Sequence, residues 1–259
     1  VNKYIYKIAE LLPIKKYLYE ISRLYNNKYT GENNCDMYTN GEFRFLSKNI
    51  NDCKVIFDVG ANVGEWTAQA LKLNSHATIH CFEPSTHTFK KFLHNNFPQN
   101  ITGNNVGLGS REETKTLHVF EEGAGINSLY KREGLGHLQQ TTREEIKLIT
   151  LDDYCERHNI TQIDFLKADV EGHELEVFKG AQRFIKNEKI KMIQFEYGGC
   201  NIDARVFLKD IFDIFKGTNY RFYKIFPQTL QYVSEYHQKQ ETFQYQNWAI
   251  IHKDHTFTL

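Results

Sequence analysis

The sequence predicts an α/β fold: an open, mostly parallel sheet with helices on both faces and antiparallel pairing near the C-terminus. Three observations carry this. Apolar runs of strand length at 54–59, 78–82, 163–168 and 189–195 are separated by stretches whose apolar residues have helical spacing. The first run, Val55-Ile56-Phe57-Asp58-Val59, passes into a glycine turn, Gly60-Ala61-Asn62-Val63-Gly64, and a helix start at Glu65-Trp66-Thr67. Two further runs, 221–226 and 243–252, read as closing strands that pair antiparallel.

Residues 1–35 are expected to form a helical appendage and 36–259 the main domain. In the appendage, apolar residues at 5, 8, 9 and 12, and past Pro13 at 14, 18, 21 and 25, have helical spacing broken by a kink. Over residues 1–28, lysines at 3, 7, 15 and 16 and five tyrosines decorate it, which suits packing on the domain, a homodimer contact or a membrane-surface helix. Asn40-Gly41, between 36–39 and 42–46, reads as a hairpin turn leading into the first strand. Past the glycine turn, Trp66, Ala70 and Leu73 mark one helix, 78–82 the second strand, and Phe89, Phe92 and Leu93 the next helix. Residues 101–108 read as a third strand and 115–120 as an alternating one. The stretch 121–143, with Gly123, Gly125, Gly134 and Gly136 among polar residues, is too long for a mere connection and is expected to act as a lid. Thr150 opens a short helix with a capping-box-like start. The fourth strand, 163–168, should lie beside the first, followed by a helix carrying Leu175, Phe178, Gln182 and Ile185 on one face. A fifth strand ends at Glu196, and a helix then runs from Asp203 to Lys216-Gly217.

Composition bounds the function. A chain of 259 residues suits one large domain. Equal basic and acidic counts, 32 each, leave no broad electrostatic footprint for nucleic acid. Cysteines 35, 53, 81, 155 and 200 form no C-x-x-C pair, which points to reduced thiols and a cytoplasmic setting. No uninterrupted apolar run approaches a transmembrane segment, and the start lacks the order of a signal peptide. Beginning at Val1, the chain is expected to be trimmed or a piece of a longer protein.

The chemistry gathers at strand ends. Ligands of open α/β sheets bind at the carboxyl ends of strands, and Asn62 stands where a dinucleotide fingerprint needs its second glycine, so the turn disfavours NAD. It suits a nucleoside without phosphates, with Asp58 available to accept from an ammonium group, a description that S-adenosylmethionine meets. Glu83, 23 positions beyond Gly60, is placed to accept from ribose hydroxyls, and Pro84 keeps it extended. Ala61, Gly64, Glu65, Thr67 and Ser85 complete this candidate cofactor wall, with Asn105 and Val106 where an adenine is commonly faced. Lys167, Asp169, Glu171 and His173 crowd the end of the fourth strand, Asp169 also serving as a candidate cofactor contact. Asp169, Glu171, His173 and Glu196 are candidate general bases, and strand alternation would put both carboxylates of Asp169-Val170-Glu171 on one side. No zinc site is implied and no metal is assigned, although so many acids together could hold Mg²⁺.

Over residues 36–252 the chain resembles the FkbM family of S-adenosylmethionine-dependent methyltransferases. The matching pieces are Asn40-Gly41-Glu42, the VIFDVGANVGEWT block, Phe82-Glu83-Pro84, Asn105-Val106, Asn127-Ser128-Leu129, the long block LDDYCERHNITQIDFLKADVEGHELEVFKGA and Gln194-Phe195-Glu196. Gly107 departs from the alanine the family often has there. The resemblance implies the class I methyltransferase fold, a Rossmann-like seven-stranded sheet with one antiparallel strand near the C-terminus. It implies O-methylation of a hydroxyl on a glycan, lipid or polyketide-like acceptor, with Asp58, Gly60, Asn62, Glu83 and Asp169 lining the cofactor site. Asp169-Val170-Glu171-Gly172 stands where an amino-methyltransferase of DNA would carry N/D-P-P-Y. A binding module of the same fold without catalysis, and a nicotinamide-dependent oxidoreductase, are the alternatives.

Overall fold

The structure, a computed structural model, describes residues 15–120, 125, 127–132 and 142–258. Its strands are β1 (Val55–Val59), β2 (Thr78–Phe82), β3 (Ile101–Asn104), β4 (Gly107–Leu108), β5 (Glu113–Val119), β6 (Thr142–Ile149), β7 (Ile163–Ala168), β8 (Ile190–Tyr197), β9 (Tyr220–Ile225), β10 (Leu230–Val233) and β11 (Gln246–His252). The helices are α1 (Lys15–Thr30), α2 (Glu42–Asn49), α3 (Glu65–Leu73), α4 (Thr86–Leu93), α5 (Leu151–Arg157), α6 (Glu174–Lys179), α7 (Gln182–Lys186), α8 (Cys200–Ala204) and α9 (Leu208–Ile214).

Eight strands form the main sheet in the order β10-β9-β11-β8-β7-β1-β2-β3. β1 pairs in parallel with both β2 and β7, with Phe57 opposite His80 and Leu166. β11 is antiparallel to β8 and to β9. Because β1 is central, both faces of its apolar run are covered, as continuous burial from Ile56 to Val59 requires. Phe57, Val59, Leu166 and Ala168 meet Leu151, Leu175, Phe178 and Ile211 of α5, α6 and α9 on one face. Ile56, Ile79, Phe165 and Met192 meet Phe45, Leu46, Trp66 and Ala70 of α2 and α3 on the other.

Several elements differ from expectation. The Asn40-Gly41 turn opens a helix, not a hairpin: Asn40 Oδ1 accepts from the Glu42 amide at 2.8 Å, and Gly41 at φ 102° feeds α2. Buried Phe45, Leu46 and Ile50 lie at helical, not alternating, spacing. The expected third strand, 101–108, is two: β3 closes the main sheet, while β4 joins a second sheet of order β4-β6-β5. β6 was unforeseen, its inward residues reduced to Ile146 and Leu148 among charged neighbours. β10 is an unexpected eighth strand of the main sheet, so two strands there, β10 and β11, run against the rest. The single helix expected after Asp203 is α8 and α9, parted by Arg205 at φ 56°. Likewise the helix after Asp169 divides into α6 and α7 at Gly180, where a Cβ would lie 2.0 Å from the Gly109 carbonyl oxygen. The apolar residues expected at 5–12 lie outside the described residues, as do Gly123, Gly134 and Gly136.

Candidate active site

The carboxyl ends of β1, β2 and β7 open into a cavity of about 250 Å³. One wall is backbone. Gly60 at φ 85° lets the chain leave β1 so tightly that a Cβ there would stand 1.8 Å from the Asp169 carbonyl oxygen. Left-handed geometry of this kind favours glycine. The Gly60 and Ala61 amides both donate to the Phe82 carbonyl at 3.0 Å, which docks the turn on the end of β2. Asn62, at φ 48°, then turns its amide to Glu83 Oε2 at 3.1 Å, while the Ser85 amide donates to Glu83 Oε1 at 2.8 Å. Burial pushes the Glu83 carboxyl up to about 7, despite those two donors.

Several candidate residues support this wall without lining the cavity. Asp58 is fully buried behind the turn, where Oδ2 accepts from Thr67 Oγ1 at 2.6 Å and Oδ1 lies 4.0 Å from Lys167 Nζ. Gly64, at φ 91°, precedes α3. Ser85 caps α4 and donates to Glu144 at 2.7 Å. Asn105 donates to the Glu83 and Pro84 carbonyls at 3.0 Å, pinning the acidic turn, and Val106 packs on the core. Gly60, Ala61, Asn62, Glu65, Glu83 and Pro84 do face the cavity.

The opposite wall is charge. Lys167 Nζ donates to Asp169 Oδ2 at 3.0 Å, the pairing its position two residues earlier allows. Burial works against the lysine's charge, but Asp169, Asp58 and Glu42 hold its pKa above the ordinary value. Burial likewise opposes ionisation of Asp169, yet Lys167 and a hydrogen bond from Glu196 keep it below the usual carboxylate range. Glu196 is raised well above its own by burial and by Asp169, Glu171 and Glu174. Glu171 is pushed up to about 8 by burial and by Asp169, although Arg132 Nη1 reaches its Oε2 at 2.6 Å. Carboxylate oxygens of Asp169, Glu171 and Glu196 all lie within 4.8 Å of one another, a spacing that could hold a cation, with Lys167 and Arg132 already supplying two positive charges there. This meeting is not strand alternation: β7 ends at Ala168, and Glu171 at φ 52° with Gly172 at φ 99° curls the segment back. Glu174 Oε1 holds that curl by accepting from the Val170 and Gly172 amides at 3.0 and 3.3 Å. His173 is buried, its Nδ1 2.9 Å from Tyr130 Oη, and burial lowers its pKa to about 4, so it is neutral near pH 7.

Sequence reasoning missed the residues that reach this wall from elsewhere. Tyr130 and Arg132 belong to the described part of the long 121–143 stretch, where Ser128 Oγ also donates to the Glu171 carbonyl at 2.7 Å. Arg132 Nε lies 3.4 Å from Asp203 as well. Glu42 enters from α2, accepts from Gln194 Nε2 at 2.9 Å and lines the cavity with Trp66 and Tyr245. The Asn40-Gly41-Glu42 motif held the signal for Glu42: the Asn40 side chain fixes the turn and α2 starts with Glu42 in the cavity wall.

The ligand-sized cavity stands where the strand order reverses, the place at which open α/β sheets bind their ligands. Residues 58–222 match the methyltransferase FkbM domain, and the chain belongs to that family. It is similar to methyltransferase 1 of Beauveria bassiana, with 27% identity over 146 residues, covering 50% of this chain and 59% of the relative. It is equally similar to the hexuronic acid methyltransferase AglP of Haloferax volcanii, 27% over 157 residues, covering 60% of this chain and 61% of that one. The alignments thus span about three-fifths of the length of these curated relatives. A crystal structure of an FkbM methyltransferase from Methylobacillus flagellatus superposes with a TM-score of 0.43 at 18% identity, covering 77% of this chain and 44% of that chain.

Proposed function

We infer that this protein is an S-adenosylmethionine-dependent O-methyltransferase acting on a hydroxyl of a glycan or related natural product, with residues 36–259 as its catalytic unit. The observation that carries the reading is the pairing of walls: Glu83 beside the Gly60–Gly64 turn, facing Asp169 and Glu171 across one cavity. The residues fit the cofactor. Glu83 spends one backbone donor on each oxygen and retains lone pairs for ribose hydroxyls, and Asn62 Oδ1 is a buried acceptor without a partner among the described residues. When bound, S-adenosylmethionine supplies an electrophilic methyl on a cationic sulfonium. An acidic wall favours that charge. Glycan acceptors are supported by the Haloferax relative, which is a hexuronic acid methyltransferase.

The chain's own work is alignment and proton handling. Orientation of a hydroxyl along the transfer axis can contribute roughly 7–11 kcal/mol. Asp169, with Lys167 and Glu196 both donating to it, is ionised and positioned but weakly basic. Glu171, raised to about 8, matches a proton acceptor near neutral pH more closely. Tyr130 and Arg132 reach His173 and Glu171 from the long stretch after β5 and so hold the charged wall from outside the cavity. Calorimetry tests the cofactor: binding of S-adenosylmethionine and its demethylated product is expected, and binding of NAD in their place would reject the reading. Labelled methyl transfer to cell-envelope glycans then identifies the acceptor.

A further inference from the structure

The helix α1 stands apart from the site and has no buried residue along its 16 positions. Tyr17, Leu18, Ile21, Leu24 and Tyr25 are between 41% and 72% exposed. At 3.6 residues per turn these five share an arc of about 120° with Lys28 among them; Glu20 borders that arc beside Leu24, while Lys15, Lys16 and Arg23, with exposed Tyr19, lie on the other side. Helices in proteins owe most of their stability to packing of an amphipathic face, and no residue of this one is buried. Its contact with the domain is at its base, where Tyr29 meets Phe226 with ring centroids 5.6 Å apart.

Two occupants compete for the stripe, and charge separates them. A second copy packed stripe to stripe would bury Lys28 in an apolar seam that offers it no acid. Glu20, the helix's one carboxylate, flanks the stripe about 40° beyond Leu24 and is bound to Arg23 at 2.8 Å. A bilayer surface has no such conflict. Lys28 can extend its stem along apolar surface and leave its ammonium among head groups. Tyr17 and Tyr25 suit the interfacial layer, where an aromatic body is buried and a hydroxyl stays wet. Four cations against one carboxylate favour an anionic surface. We propose that α1 is an interfacial anchor that docks this protein on anionic phospholipid bilayers. Cys35, five residues beyond the end of α1, lines the cavity, so docking holds the cavity mouth within a short chain length of the lipid surface.

The test needs no methyl transfer. The protein is sedimented with vesicles of phosphatidylglycerol mixed with phosphatidylcholine, and with phosphatidylcholine alone. Wild type is expected to pellet with the anionic vesicles and to be released by high salt. Lys28→Glu should weaken that binding by at least about fivefold. Leu18→Glu with Ile21→Glu should abolish it, at an unchanged melting temperature because neither side chain is in the core. Absence of wild-type binding to anionic vesicles, or equal binding by the double variant, overturns the proposal. So does a dimer in light scattering that the double variant dissociates, because the face then belongs to a second copy.

Discussion

The two walls of the cavity are built by different means. At β1 and β2 the wall is backbone: a left-handed glycine, two amides on the Phe82 carbonyl and two more holding Glu83. At β7 and β8 it is side-chain charge, with Lys167 and Arg132 set among Asp169, Glu171, Glu174 and Glu196. A backbone wall has one geometry and little response to pH beyond Glu83. A wall of coupled charges responds to protonation, because each ionisation changes the cost of the next. On the proposed function, that difference suits the first wall to fixed binding and the second to proton handling.

The largest expected effect breaks the contrast at the point where the walls touch. Gly60→Ala would put a Cβ against the Asp169 carbonyl and hold alanine at positive φ, so both walls must shift. Loss of at least about 1–3 kcal/mol of stability is expected from the strained backbone alone. Cofactor affinity and turnover should fall together, read by thermal melting and calorimetry. A variant that binds normally would show that the turn has slack.

Substitution in the charged wall should separate the two functions. Asp169→Asn or Glu171→Gln is expected to lower kcat by roughly 10²-fold or more for whichever residue is the base, with cofactor Kd nearly unchanged. If the base is Glu171, kcat should rise with pH through about 8; if Asp169, already ionised, the profile should be flat there. Wild-type turnover in both variants would move the role to Glu196 or leave alignment alone. Glu83→Ala is the converse, weakening cofactor binding by about 1.5–3 kcal/mol through lost charge-assisted hydrogen bonds.

The smallest effect is on stability. Glu83 and Glu174 at about 7, and Glu171 at about 8, are raised from an ordinary 4.5, so the folded protein holds protons that the unfolded chain has released. Their contribution is full at low pH and is lost as pH rises through those values. His80 and His173, lowered to about 4 from 6.5, act oppositely, but their contribution is complete above 6.5. The melting temperature should therefore fall between pH 6.5 and 8 as pH rises. Glu171→Gln should flatten that fall, and a melting temperature rising across the window would contradict the burial of these acids.

The backbone wall was legible in the sequence because its signals are local. Asp58 to Gly64 fixes a strand end and a turn in consecutive residues, and Phe82-Glu83-Pro84 comes one helix later. The Lys167–Asp169 pair was equally readable from its spacing. Asn40-Gly41 misled because the same dipeptide opens a hairpin or a helix, and burial of Phe45 and Leu46 against the sheet decides which. β6 announced itself weakly, because only Ile146 and Leu148 are buried among its charged residues and the long stretch after β5 separates it from that antiparallel partner. The sequence alone determined the sheet's central strands, the glycine turn and the stock of acids. Tertiary structure decided which acids are ionised, because that depends on burial and on Arg132, Glu42 and Glu196 arriving from distant elements. It also placed Asp58 behind the cavity: close packing of α3 against β1 gives its carboxylate to Thr67, whereas a reading along the chain sees only an acid at a strand end.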